Sequence, residues 1–367
     1  MSNTIDKIVN KVFENLESKC FIELPYLTKK RYIHPHQDIE INTKIKNVLK
    51  SAKYKVINMS YSVKCMIVFY DDIYYLIYPY DLDCFSFGML ILSEEFKISF
   101  GILAMSEDLL IPYDDISFKI YNYILESSLN CFDFEDISCF YKKYTIVELN
   151  DISFKEDIYR ITGLILSNNL SFTTNILSRI TYNNLFLLLN LESSRCISTC
   201  IVRCLDSSLL DHCFLEIYRC IEFLFYIQTA IDISKKYNND NLYLLIDLVY
   251  NREIAHTERD SLYAIIKNIN DSYCINEFYD FLISNKYVDV SENKHHTISE
   301  HIYDLRCKTA HLRYKHEYIV SDYKWNKMIE YFSALVYKIY SLLNDTILNI
   351  CNNNSNWDNI NDIWKKQ

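Results

Sequence analysis

From residue 164 to residue 367 the sequence contains neither glycine nor proline. These two residues cost a helix interior most, about 1 kcal/mol for Gly and about 3 kcal/mol for Pro relative to Ala. They are also the residues on which tight sheet turns depend. A segment of this length without them is a poor β-domain, and we expect it to be helical. The whole chain holds only three glycines, Gly88, Gly101 and Gly163. No P-loop, dinucleotide fingerprint or nucleophile elbow can be assembled from them, which excludes nucleotide-hydrolysing and hydride-transfer readings.

The first third differs. Residues 4–17 carry Ile5, Ile8, Val9, Val12, Phe13 and Leu16 at helical spacing. Strand-like sequence follows at 54–60, then two further strands within 63–78 around an Asp71-Asp72 turn. Segments 84–93 and 96–104 are read as more strands. All four prolines (Pro25, Pro35, Pro79, Pro112) lie here. The expected fold class is α+β, a mixed α/β N-terminal region followed by an all-α helical bundle. The expected division is 1–150, a helical connector at 151–204, a helical domain at 205–350 and an Asn-rich tail at 351–367.

Three long amphipathic helices are expected in the second half. The first covers 208–236, with Leu210, Phe214, Ile217, Ile221, Leu224 and Ile231 on one face. The second covers 240–268. The last covers 321–348, with Trp325, Ile329, Phe332, Val336, Ile339 and Leu343. A shorter helix at 273–284 precedes a polar loop, 285–295.

Half of the residues are apolar and 23% are charged, ample for a buried core. The net charge of −10 argues against a protein that coats nucleic acid through a broad basic face. The opening stretch is amphipathic, without the apolar core of a secretion signal. No run approaches the ~18 apolar residues of a membrane span. We therefore expect a cytoplasmic chain with no membrane association, its thirteen cysteines mostly buried and inert.

One string reverses the local charge. In HIYDLRCKTAHLRYKH, residues 301–316, Arg306, Lys308, Arg313 and Lys315 place four cations in ten positions, with no carboxylate from 305 to 316. A phosphate could dock there. Arg306 and His311 are separated by four residues, a spacing that also occurs by chance at Arg31–His36, interrupted by Pro35. YDLRCKTAH resembles the Arg-x4-6-His signature of HEPN domains, and EIYRCIEFLFYI (216–227) resembles their first long helix. The order of long helix, second helix, loop, motif and final helix matches as well. Among HEPN groups the resemblance is to the ApeA-like one, linked to phage defence, and it covers about 205–350. Cys307 departs from the Asn or Asp usual after the Arg.

The resemblance implies a metal-independent endoribonuclease needing no cofactor, acting by attack of a ribose 2′-OH on the adjacent phosphate. His311 would be the acid or base and Arg306 would neutralise charge on the phosphoryl oxygens. Glu222 would orient His311 or Arg306, Arg219 would add positive potential, and Lys308, Arg313 and Lys315 would bind RNA. It also implies a homodimer, with a toxin or antiviral-defence role under a regulatory protein, an antitoxin or a phage-derived trigger. Residues 1–150 would be the sensor or restraint. The rival reading is a HEPN-fold dimerisation or partner-binding module without catalysis.

Other signals are weaker. Arg219 also lies one turn from Glu216 and suits a simple ion pair. Arg252 and His256 share a helix face as a solvated pair. Cys196, Cys200 and Cys204 fit the small apolar stripe of a helix better than a metal ligand set, and no CxxC occurs. His295, His296 and His301 are read as loop and surface residues.

Overall fold

A computed structural model describes residues 3–20, 32–79, 93–110, 112–113, 123, 131–149, 155–168, 176–237, 245, 257–311 and 322–352. The chain divides into two compact units, Met1–Ile152 and Ser153–Gln367. Among the described residues strands occur only in the first unit and the second is helical, an α+β protein.

The first unit opens with α1 (Asn3–Cys20), whose apolar stripe buries Ile8, Val9, Val12, Phe13 and Leu16. Strand β1 (Tyr32–His34) and α2 (Ile39–Ser51) follow, the helix capped by Asp38 through the backbone N–H groups of Glu40 and Ile41. Next come β2 (Lys53–Asn58), β3 (Lys64–Tyr70) and β4 (Ile73–Tyr78). The β3–β4 hairpin turns at Asp71 and Asp72, with φ of 53° and 62°. Two consecutive left-handed residues give the turn whose twist matches that of the strands it joins. After α3 (Glu94–Ser106), β5 (Cys131–Asp133) runs into α4 (Phe134–Ser138), and β6 (Thr145–Leu149) closes the unit. The antiparallel sheet has the order β2-β3-β4-β6, and β1 pairs with β5 in parallel. Met66, Val68, Tyr75, Ile77 and Ile146 pack in one core with α1, α2 and α3.

The expected strand at 96–104 is instead α3. Ile98 through Ser106 are all buried, so the segment shows no alternation, and a short apolar run of this kind reads equally as strand or helix. The helix wins because its polar residues are satisfied within it. Ser99 donates to the Glu95 carbonyl at 2.6 Å and Ser106 to the Leu103 carbonyl at 2.8 Å. Glu94 and Glu95 also suit its N-terminal turn. The expected strand at 84–93 lies outside the described residues except for Ser93, which is the residue capping α3. Gly101 leaves the space that the Tyr144 hydroxyl fills on its way to the Lys97 carbonyl, 2.8 Å away.

The second unit contains α5 (Lys155–Asn168), α6 (Arg179–Asn190), a 3₁₀ turn (Glu192–Ile197) and α7 (Ser198–Asp206). The long α8 (Leu210–Tyr237) follows, then α9 (Glu258–Lys267), α10 (Ser272–Ser284), α11 (Lys294–His311) and α12 (Asp322–Asn352). Residues 155–206 belong to the same unit as the long helices, with α6 packed on α12 and α7 on α8. Helices α8 and α12 have the stripes and nearly the bounds that periodicity predicts. Of the expected single helix at 240–268, residues 240–244 and 246–256 lie outside the described residues. Thr257 has non-helical backbone and its hydroxyl accepts from the Asp260 N–H, so α9 begins there with its own cap. The polar loop 285–295 ends early, because α11 begins at Lys294. Among the described residues no single helix is long and apolar enough to cross a membrane.

Candidate functional site

Helix α11 buries Ile298, Ile302, Leu305 and Thr309, a stripe at helical spacing that faces α8, α9 and α10. Arg306 stands one residue past Leu305 of that stripe and reaches both α8 and α9. Its Nη2 donates to Glu222 Oε1 of α8 and to Glu258 Oε1 of α9, each at 3.1 Å. The guanidinium also lies 5.5 Å from the centre of the Tyr218 ring, one turn before Glu222 on α8. Arg306 keeps 22% of its side-chain surface exposed, Glu222 33% and Glu258 39%, so one side of the cluster is open to water.

The charges are mutually reinforcing. Burial alone would lower the Arg306 pKa, but the Glu222 hydrogen bond and the charges of Glu258 and Glu222 outweigh it and hold it above its usual value. Burial pushes the Tyr218 hydroxyl well up, and Glu258 adds to that while Arg306 opposes it. Beside this cluster Arg259 reaches Glu300 and Asp304, each at 3.2 Å, and lies 5.0 Å from the centre of the Tyr303 ring. Cys307 lies one turn further along α11 from Tyr303.

Two guanidinium groups thus face four carboxylates. The local reversal of field read from 305–316 is not present around Arg306 itself, because distant carboxylates converge on it. Any net positive potential must come from the cations further along the string. Lys308 is exposed, but two positions on a helix put it about 160° around the axis from Arg306. Arg313 and Lys315 lie outside the described residues, as does the His311 side chain; the backbone of His311 is the last residue of α11. Arg219 is 50% exposed and pairs with Glu216 of its own helix. It does not join Glu222, although three positions bring the two within about 60° on α8.

Sequence reasoning thus paired Glu222 with Arg306 as one of two options, and the structure brings those two together. It missed Glu258, Arg259, Tyr218 and Tyr303. The available signal was TERD at 257–260, a helix-start pattern that would have divided the 240–268 segment and put Glu258 in a first turn.

The structure corrects the loop part of the reading of His295, His296 and His301, because all three sit on α11. His296 is a surface residue as expected, with 55% of its side chain exposed. His301 stacks on Tyr287 with ring centroids 5.5 Å apart, and its Nε2 is buried without a hydrogen-bond partner among the described residues. Burial lowers its pKa to about 4, and the charge of Lys308 acts in the same direction. His295 Nε2 lies 3.3 Å from the Ile269 carbonyl. Cys196 falls in the 3₁₀ turn and Cys200 and Cys204 in α7, so the cysteine stripe is not one continuous helix. Among the described residues no three His, Cys, Asp or Glu side chains are arranged to hold a metal ion. Arg252 and His256 lie outside the described residues.

Compared with protein-family models, with curated proteins and with solved structures, the chain matches none.

Proposed function

We propose that the second unit is a metal-independent endoribonuclease of the HEPN kind, serving a toxin or anti-phage role. Arg306 would act on the scissile phosphate and His311 as general acid or base. The observation that carries this reading is the fixing of Arg306 by Glu222, with Glu258 and the Tyr218 ring holding the same group. A guanidinium held from three sides meets phosphate without first losing rotamer freedom, which is the form that preorganised charge stabilisation takes. The reaction would be transfer within the RNA. The 2′-oxygen bonds to phosphorus as its proton leaves to a base, and the 5′-oxygen departs with a proton from an acid.

Five positions on a regular helix separate Arg306 and His311 by about 140° around the axis and about 7.5 Å along it. One copy of α11 therefore does not aim both residues at one point. Two chains related by a two-fold axis would bring an Arg306 and a His311 from each into one cleft and add the cations of both strings. The faces proposed to pair are the exposed side of α8, including Arg219, Phe223 and Tyr226, and the region 301–313.

A second reading, a HEPN-fold dimerisation or partner-binding module without catalysis, has its own observation. Arg306 is already neutralised by two carboxylates, as in a structural ion-pair network, and Cys307 stands where a polar residue is usual. Expression of wild-type and His311→Ala chains at matched levels separates the two readings. Growth arrest with degraded RNA from the wild type alone supports the ribonuclease. Equal effects of both chains, or none from either, support the module.

A further inference from the structure

The first unit holds a cavity of about 240 Å³ between the end of α3 and the segment that leads from α4 to β6. Met105 and Leu110 line it from the α3 side, and Phe134, Tyr141 and Tyr144 from the other. Met105, Leu110, Phe134 and Tyr141 are buried, so the inner surface is apolar and largely aromatic. Lys142 and Lys143 are exposed and stand at the mouth, and among the described residues no carboxylate lines the cavity.

Local sequence builds this shape. Asp108 takes up left-handed backbone, φ 57°, and turns the chain back at the end of α3. The Leu109 and Leu110 N–H groups then donate to the Ala104 carbonyl at 3.0 and 3.4 Å, which holds Leu110 beside Met105. On the other side the Tyr113 N–H donates to the Phe140 carbonyl at 3.0 Å, and Pro112 bridges to Tyr141. The Tyr144 ring is fixed by its hydroxyl bond to the Lys97 carbonyl across Gly101.

A helix C-terminus ordinarily repels an anion. Here its carbonyls are occupied. Those of Met105 and Ser106 accept from the Asn15 side chain at 2.8 and 3.0 Å, and that of Leu103 accepts from the Glu107 N–H at 3.1 Å. The carboxylates that follow α3 are paired as well, Glu107 with Lys11 at 2.8 Å and Asp108 with Lys19 at 3.1 Å. The two lysines at the mouth therefore set the sign of charge that the cavity accepts.

We propose that this cavity binds a small aromatic carboxylate, its ring among Phe134, Tyr141 and Tyr144 and its carboxylate at the Lys142 and Lys143 ammonium groups. Aromatic walls favour a flat ring, because edge and offset contacts between rings add to the gain from burial alone. Size limits the ligand. At about 30 Å³ for each water-sized group, the cavity holds roughly eight of them, a single ring with its acid rather than a nucleotide or a lipid. Apolar burial supplies the affinity, and the lysine pair supplies the choice of charge. The site gives the first unit a ligand class of its own, independent of the RNA chemistry proposed for the second.

The test uses 4-fluorobenzoate as the probe and follows its fluorine resonance as full chain is added at fixed ionic strength. The proposal expects saturable, one-to-one broadening that benzoate reverses. Benzamide, which keeps the ring and loses the charge, should not reverse it. Replacing both lysines, Lys142→Ala with Lys143→Ala, should weaken binding by about three- to ten-fold. Both side chains are exposed, and an unchanged melting temperature without probe checks that the fold is kept. Lys46→Ala with Lys50→Ala, which removes two exposed lysines of α2 that do not line the cavity, should bind as wild type does. No saturable binding up to about 10 mM, where even a weak site fills, would overturn the proposal. So would equal competition by benzamide, or undiminished binding by the Lys142→Ala, Lys143→Ala protein.

Discussion

Arg306 and His301 lie on one helix and meet opposite environments. Arg306 gains two carboxylates and stays charged, so removing it leaves Glu222 and Glu258 facing each other. We expect Arg306→Ala to cost about 1–3 kcal/mol in urea unfolding, beyond the loss from Glu222→Gln, which leaves Glu258 as partner and should cost about 0.5–1 kcal/mol. A Glu222→Gln protein less stable than Arg306→Ala would mean that the carboxylates do not depend on the guanidinium. The buried Nε2 of His301 has no hydrogen-bond partner among the described residues. Its pKa falls from 6.5 to about 4 on folding, so between those values the unfolded chain binds a proton that the folded chain refuses. Stability contributed by the neutral ring is present above pH 6.5 and is lost as pH falls toward 4. The loss reaches about 3 kcal/mol. His301→Phe keeps a ring against Tyr287 and removes the titration. The variant should hold its melting temperature better than wild type between pH 6.5 and 4, and parallel curves for the two proteins would contradict this account.

At the scale of elements, legibility followed length and periodicity. Helices α8 and α12 bury stripes many turns long, and nothing between Gly163 and the end interrupts them, so pattern alone placed them. The β3–β4 hairpin was legible from two β-rich runs on either side of an Asp pair. Helix α3 was not, because burial on every face erases the period that separates strand from helix. The start of α9 at Thr257 was hidden by apolar residues on both sides of a cap. Glu258 was hidden for a different reason, since its partner Arg306 lies 48 residues away and only packing joins them. Close packing of α5 on α6 gives a further test. A Cβ on Gly163 would lie 2.8 Å from Leu189 Cδ1, and Leu189 is fully buried. Gly163→Ala gains about 1 kcal/mol in helix propensity but overpacks the contact by about 1–3 kcal/mol. We expect a net loss of about 1 kcal/mol in chemical denaturation, and a stabilised variant would show that Leu189 can move aside.

For the whole molecule, the account assigns RNA chemistry to the second unit and requires two copies of it. Mixing inactive His311→Ala chains with wild-type chains should depress cleavage below the wild-type fraction, because mixed dimers carry an incomplete cleft. Activity that merely tracks the wild-type fraction would remove the shared cleft and leave the single-chain site to explain itself. The most direct measurement of the central claim is chemical analysis of the RNA ends left by purified protein in excess EDTA. The proposed mechanism predicts cleavage by the wild type with 2′,3′-cyclic phosphate termini, since the 2′-oxygen would be the nucleophile. It predicts that His311→Ala and Arg306→Ala fall by about 10²-fold or more. Intact RNA with the wild type, or equal cleavage by the His311→Ala chain, would contradict it.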